Sequence, residues 1–213
     1  MPPDGPVLGF DTAAAHCAAA IVWGDRVLAR AEEPMDRGQA ERLMPLLQEV
    51  LAAAGLGWRD LALVAVGTGP GNFTGVRLAV AAARGLALAL RVPAVGVTGF
   101  QARAWGQPAG VLTAIDARRG SLWLAAEGHL PPQLWEGGDL PPAVQSLDVT
   151  GAQADRLAAL TGGRVLAEQA PLAVALARVA AGRAGVPQPR PAPLYLRAAD
   201  ALPPADPPPV ILP

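Results

Sequence analysis

Hydrophobic positions along the chain follow two different periods, and these periods predict most of its elements. Short apolar runs ended by turn residues predict strands over 7–11, 18–23, 26–32, 61–66 and 92–97. Apolar residues spaced three and four apart predict an amphipathic helix over 39–54, with Pro45 expected to bend it or to mark a late start. A second helix, over 78–90, is apolar on every side. This mixture of strands and helices predicts an α/β fold with mixed sheets flanked by helices.

The second half of the chain repeats the pattern of the first. An apolar strand ends in Asp11, another over 111–116 ends in Asp116, and each is followed by a short turn and a further strand. Helices are predicted over 152–160 and 171–184. The repeat predicts two related lobes, over 1–104 and 105–197, followed by a proline-rich tail over 198–213. Of the extended chain over 187–213, we expect residues 194–196 to pack on the body.

Composition narrows the classes of function. The chain has 213 residues, is 52% hydrophobic and carries a net charge of −1, so we expect no strong binding of nucleic acid by this chain alone. All 17 basic residues are arginines, which excludes a P-loop lysine and a Schiff-base lysine. The single Cys17 fits a reducing cytoplasm. We predict no signal peptide. We also predict no membrane association, because the apolar segment 78–90 is too short to span a bilayer.

The most informative segment is the glycine-rich turn over 67–77, between a strand and the apolar helix. Its glycines permit two interpretations: an anion held at the helix N-terminus, or very close packing of backbone. It lacks the third glycine of a dinucleotide fingerprint and the lysine of a phosphate loop. An anion held at this turn would indicate an enzyme, whereas close packing of backbone would indicate a scaffold.

Three polar residues at strand ends are candidates for binding magnesium or a nucleotide phosphate. Asp11, Thr12 and Asp116 would point into a crevice between the lobes. The alternative is that each carboxylate caps the turn that follows its strand.

The sequence offers few residues that could act as metal ligands or nucleophiles. The two histidines, His16 and His129, form no metal-binding pair on a helix, and we expect His16 to be solvated in a turn. Neither Ser121 nor Ser146 lies in a nucleophile turn, and Cys17 in a strand is expected to be a small buried hydrophobe. A hydrolase is therefore poorly supported, and we predict no catalytic residue and no metal site.

The two long helices carry much apolar surface. Either they cover one another, or part of that surface binds a partner. The residues predicted to bind a partner are Leu43, Leu46, Leu47 and Val50 of the first helix, Val76 just before the second helix, and Val80, Ala83 and Ala87 within it.

The order of short motifs resembles the TsaB (YeaZ) family of tRNA threonylcarbamoyladenosine biosynthesis. The most specific match is the nonapeptide 69–77, GPGNFTGVR. Weaker matches, in the same order as in the family, are 8–13, 84–88, 96–98, 115–120 and 193–197. The resemblance covers about residues 7–197.

The resemblance implies an actin-like fold of two ribonuclease-H-like lobes, the second reduced. It implies a non-catalytic cytoplasmic scaffold that activates the transferase TsaD, with the ATPase TsaE joining the complex. Without TsaD a homodimer is expected, and tRNA would be contacted only through the complex. The resemblance allows ATP or ADP with magnesium at the complex interface and no cofactor on this chain alone. Many members of the family carry a histidine near the start of the first long helix, where this chain has Gln39. This departure and the short second lobe argue against ATP hydrolysis by this chain alone.

The alternative is a magnesium-ATP-dependent small-molecule kinase or ATPase of the same fold. In that case Asp11, Thr12 and Asp116 would hold the metal and the phosphates. The family has also been labelled a glycoprotease, an activity that we do not expect because the sequence offers neither a metal pair nor an activated nucleophile.

Overall fold

The computed structural model describes residues 3–196, so the tail predicted over 198–213 lies outside the described residues. Two β-sheets form its framework. The strands of the first sheet are β1 (Val7–Asp11), β2 (His16–Trp23), β3 (Arg26–Pro34), β4 (Leu63–Gly67) and β5 (Ala94–Val97). The strands of the second sheet are β6 (Leu112–Asp116), β7 (Leu122–Ala126), β8 (Leu130–Trp135) and β9 (Val149–Gly151).

Five α-helices pack on these sheets in the described residues. They are α1 (Gln39–Ala53), α2 (Phe73–Leu90), α3 (Gly99–Arg103), α4 (Ala154–Thr161) and α5 (Leu172–Ala181). Both long helices are present as predicted, but α2 begins at Phe73, five residues before the predicted start at 78. Helix α1 runs through Pro45, whose ring lies at an exposed position. The sequence pattern did not predict α3, β8 or β9. Helix α3, with five residues, is too short to show a helical period, β9 has only three residues, and β8 contains two prolines, which disfavour a strand.

The two sheets share one topology. The strand order is β3-β2-β1-β4-β5 in the first and β8-β7-β6-β9 in the second. In both, three antiparallel strands are followed by a strand parallel to the first, β4 beside β1 and β9 beside β6. The duplication predicted from the two aspartate-ended strands is therefore confirmed. The fold is α/β and actin-like, with a second lobe that is smaller by one strand.

The predicted lobe boundary is wrong for α5, which the sequence assigned to the second lobe. The helix packs on β1, β2 and β4 of the first sheet. Strand residues alternate between the two faces of a sheet, and Val7 and Leu63 share a core cluster with Val174 and Leu176 of α5. Gly9 permits this approach, because a Cβ there would overlap the carbonyl oxygen of Ala173. The first sheet is thus covered on both faces.

The chain after α5 returns across the molecule to the turn beyond β4. Leu194 donates its backbone N–H to the carbonyl oxygen of Thr68 at 2.8 Å. Leu194 and Leu196 also pack against a cluster that contains Phe100 of α3 and Ile115 of β6. The prediction that residues 194–196 pack on the body is confirmed, and this segment joins the two lobes.

Candidate functional site

The glycine-rich turn lies directly against the turn that follows β1. Asn72 donates its backbone N–H to the carbonyl oxygen of Ala13 at 2.6 Å. A Cβ on Gly71 would overlap the backbone of Ala13, and a Cβ on Gly75 would overlap the carbonyl oxygen of Thr12. These glycines are therefore required for close packing of backbone on backbone.

The N-terminus of α2 is capped from within the chain. The side-chain Oδ1 of Asn72 accepts hydrogen bonds from the backbone N–H groups of Thr74 at 2.9 Å and Gly75 at 3.1 Å. A phosphate at a helix N-terminus would need free N–H groups of this kind. Of the two interpretations of the turn, the geometry favours close packing.

The three residues proposed to hold magnesium or phosphate are engaged in internal bonds. Asp11 and Thr12 are buried, and the Thr12 hydroxyl donates to the carbonyl oxygen of Gly75 at 2.7 Å. Asp11 Oδ1 accepts the backbone N–H of Ala13 at 2.8 Å. Asp116 is exposed, and its Oδ1 accepts the N–H of the residue two positions later at 2.9 Å.

Both aspartates therefore cap the turn after their strand, in the same way in each lobe. This is the alternative that the sequence left open. The geometry favours this alternative for Thr12, whose hydroxyl points at backbone, and for Asp11, which is enclosed, so their role in binding phosphate stays a prediction. Asp116 is the one member of the three whose side chain reaches solvent.

A histidine that the sequence placed in solvent is instead enclosed. The side chain of His16, at the start of β2, is 13% exposed. Its Nε2 lies 2.8 Å from Asp11 Oδ1 and its Nδ1 lies 3.8 Å from Glu32 Oε1. The antiparallel pairing of β1 with β2 brings His16 back beside the end of β1. The sequence signal for this pair was an aspartate and a histidine on opposite sides of one tight turn.

The surroundings of His16 favour its protonated form. Burial alone would lower the pKa of the imidazole, but the hydrogen bond to Asp11 and the charges of Asp11 and Glu32 raise it above 6.5, against a smaller opposing effect of Arg103. Arg103 itself pairs with Glu168 at 3.1 Å. The result is a network of charged groups at the end of β1, centred on one histidine.

We expect His16→Gln to lower stability in a pH-dependent way. Because the pKa is raised in the folded state, the contribution of His16 is complete below its unfolded pKa of about 6.5 and declines as the pH rises through the folded pKa. Urea unfolding between pH 5 and 8 should give the largest difference from the parent at the acidic end. His129→Gln, at an exposed position, is the control and should show no such trend. A constant difference across the range would contradict the assignment.

The cysteine and serines do not form a nucleophilic site. Cys17 is fully buried, and burial raises the pKa of its thiol to about 11, which keeps it protonated at neutral pH. It follows His16 on a strand, so the two side chains lie on opposite faces of the sheet. Ser121 lies directly before β7 and Ser146 lies in a turn of the second lobe, and neither side chain hydrogen-bonds to a histidine among the described residues.

The residues predicted to bind a partner are almost all inside the first lobe. Seven of the eight are at most 3% exposed and belong to one core cluster beneath the sheet; they are Leu43, Leu46, Leu47, Val50, Val76, Val80 and Ala83. Ala87 is half-buried. The prediction that these side chains form a partner surface is wrong for the buried seven, because the same apolar stripe that the sequence revealed is needed to cover the first sheet.

The opposite side of α2 is apolar and faces away from the lobe. Only 28% of the eighteen helical residues are buried. Leu88 is 83% exposed, and it lies on the same face as the exposed Ala81, Gly85 and Ala89. On the neighbouring α1, Met44 is 42% exposed.

Among the described residues, α2 is also the one helix whose length and apolar composition would suffice to cross a bilayer. Its buried face packs on the first sheet. A core helix of an α/β domain passes the same test of length and composition, so this property is weak support for a membrane span.

Comparisons with known proteins give a matching family, matching relatives and a matching solved structure. The family model described as TsaD, tRNA N6-adenosine threonylcarbamoyltransferase, matches residues 32–179. The tRNA threonylcarbamoyladenosine biosynthesis protein TsaB of Escherichia coli is 35% identical over 136 residues, which cover 62% of this chain and 58% of that protein. The solved structure of YeaZ from Pseudomonas aeruginosa superposes with a TM-score of 0.67 at 27% identity, over 90% of this chain and all of that one.

Further relatives agree on the extent of the match. An uncharacterized protein of Mycobacterium tuberculosis is 40% identical over 127 residues, which cover 56% of this chain and 57% of that protein. The chain thus spans somewhat more than half the length of the curated relatives that it matches.

Proposed function

Because the chain belongs to the TsaD family, as a member of the TsaB (YeaZ) type, we propose that it is an accessory subunit of tRNA threonylcarbamoyladenosine synthesis. In this proposal it binds and activates the TsaD transferase, which modifies the adenosine next to the anticodon, and it carries out no chemistry itself. It would act in the cytoplasm. TsaE would join the complex, and the chain would pair with a second copy when TsaD is absent.

The observation that carries the proposal is the exposed apolar face of α2. We call Ala81, Gly85, Leu88 and Ala89 the outer face of this helix. A side chain as large as leucine at 83% exposure, surrounded by small residues, leaves apolar surface that association would remove from water. A Cβ on Gly85 would meet no atom within 4 Å, so a partner helix can approach the backbone closely there.

The site at the end of β1 supports an accessory role over the kinase or ATPase alternative. The amide groups at the start of α2 are bonded to Asn72, and Asp11 and Thr12 are bonded within the chain. A phosphoryl-transfer site needs such groups free to hold phosphate and magnesium. Magnesium with ATP or ADP at the interface with TsaD stays a prediction.

A direct role in binding tRNA is not part of the proposal. A net charge of −1 gives the chain no overall attraction for a polyanion. Contact with tRNA is proposed to occur only through the complex.

We expect Leu88→Asp to abolish stable binding of the cognate TsaD while the chain stays folded. The substitution removes the largest apolar side chain of the outer face and puts there a carboxylate that a bound partner would have to strip of water. We expect a cost of several kcal/mol, enough to weaken binding by more than about a hundredfold. Size-exclusion chromatography and calorimetry with purified TsaD would measure the loss, and circular dichroism would check the fold.

Leu160→Asp is the matched control. Leu160 is 42% exposed on α4 of the second lobe, so its substitution makes the same chemical change away from the outer face. Normal binding of TsaD by Leu88→Asp, or equal losses in the two variants, would overturn the proposed partner surface.

A further inference from the structure

A broad groove adjoins the outer face of α2, and the proposed function assigns no role to it. The C-terminal half of α2, the start of β5 and the chain over 183–191 enclose about 810 Å³. Leu88 forms one wall, and Val186, 61% exposed, lies on the other. The outer face therefore continues into a concave surface rather than ending at the edge of the helix.

Every charged side chain that lines the groove is an arginine. Arg84, Arg183 and Arg190 contribute to its walls, and no aspartate or glutamate is among the lining residues. Arg183 is half-buried, and its guanidinium lies 3.4 Å from the carbonyl oxygen of Gly96. Arg84 and Arg190 are exposed, and neither has a carboxylate within 4 Å in residues 3–196.

The absence of paired acids here contrasts with other arginines of the chain. Arg42 is held between Glu33 and Glu49, and Arg164 is paired with Asp148. Groups of like charge around apolar walls repel one another, and an occupant with negative charge would relieve that repulsion. Within residues 3–196, the groove thus combines apolar area with positive charge that no carboxylate pairs.

We propose that this groove binds an acidic segment of the TsaD partner, with apolar side chains against Leu88 and Val186 and carboxylates beside Arg84 and Arg190. This inference rests on the proposed function, since it specifies the chemistry of the partner that docks on the outer face. The charges would select the partner and speed its association, while the apolar contacts would supply most of the affinity.

The same charges argue against a second copy as the main occupant. In a symmetric dimer each copy offers the other the same surface. The segment 73–90 contains Arg77 and Arg84 and no acidic residue, so a contact of α2 with α2 brings further arginines to the groove. A partner with carboxylates on the matching surface avoids this repulsion, and homodimers would be the weaker state.

The test is the salt dependence of TsaD binding by charge variants. We expect the double variant Arg84→Glu/Arg190→Glu to bind the full-length cognate TsaD at least tenfold more weakly at 50 mM salt, mainly through slower association. The difference should shrink at 500 mM salt, where charges are screened. The control Arg26→Glu/Arg59→Glu makes the same two charge reversals at exposed positions outside the groove and should bind like the parent.

The outcomes separate this inference from the proposed function. If Leu88→Asp abolishes binding but the double arginine variant binds normally at both salt concentrations, the partner surface stands and the acidic segment is rejected. If the control variant loses as much affinity as the groove variant, net charge and not the groove is responsible, which also rejects it. A homodimer that the groove variant weakens while TsaD binding is unchanged would assign the groove to a second copy instead.

Discussion

Replacing Leu47 with aspartate is expected to unfold the first lobe rather than to detach a partner. Leu47 is fully buried in the core between α1 and the first sheet, beside Leu43 and Val50. An aspartate there would lose the apolar contacts and place a carboxylate among buried apolar side chains. We expect a cost of about 4 kcal/mol or more, which is a large share of the 5–15 kcal/mol that stabilises a typical domain.

Circular dichroism and thermal unfolding of the isolated chain would measure this effect. Leu88→Asp serves as the control, since it makes the same change on the exposed side of α2 and should keep the parental melting temperature within a few degrees. A folded Leu47→Asp chain with a normal melting temperature would mean that α1 does not pack on the sheet as described. It would also restore Leu47 to the partner surface.

The error about the helix faces has a physical origin. An apolar stripe in a sequence shows that a surface must be covered, but it does not say by what. Helix α1 has one apolar face, and that face is buried against the first sheet and α2. In α2 residues on every side are apolar, so the pattern could not tell the face of Val76 and Val80, which meets the sheet, from that of Leu88, which does not.

The hydrophobic pattern predicted correctly those features that depend on residues close together in the sequence. The aspartate-ended strands, the extent of α1 and the packing of residues 194–196 follow from patterns of a few neighbouring residues, whereas α2 begins five residues before the start at 78 that its apolar pattern predicted. The return of α5 to the first sheet depends on contacts between residues more than 100 positions apart, such as Val7 with Val174. Such contacts leave no period in the sequence, so the pattern could not reveal them.

The same distinction applies to the candidate site. The sequence identified Asp11 as a polar residue at a strand end, with both of its roles left open. It could not reveal that His16 and Glu32 lie beside Asp11, because that requires the pairing of three strands. It identified the glycine-rich turn as decisive, and the contacts of that turn resolve which interpretation holds.

Gly75→Ala is expected to be among the most destabilising single-methyl changes in the chain. The new methyl group would overlap the carbonyl oxygen of Thr12, and backbone cannot move aside as a flexible side chain can. The shift of α2 would also strain the hydrogen bond from the Thr12 hydroxyl to Gly75. We expect a loss of about 3 kcal/mol, corresponding to a fall in Tm on the order of 10 °C, measured by denaturant and thermal unfolding.

Gly85→Ala is the matched control, because it makes the same substitution in the same helix. A Cβ at Gly85 has open space around it, so the helical preference of alanine should decide the result, with a gain of about 0.5–1 kcal/mol. Opposite signs for the two variants would follow directly from the contrast between the two sides of α2: one side pressed onto the turn after β1, the other open for a partner. Equal gains at both positions would mean that the turn is loose, and the amide groups at the start of α2 would again be candidates for binding an anion.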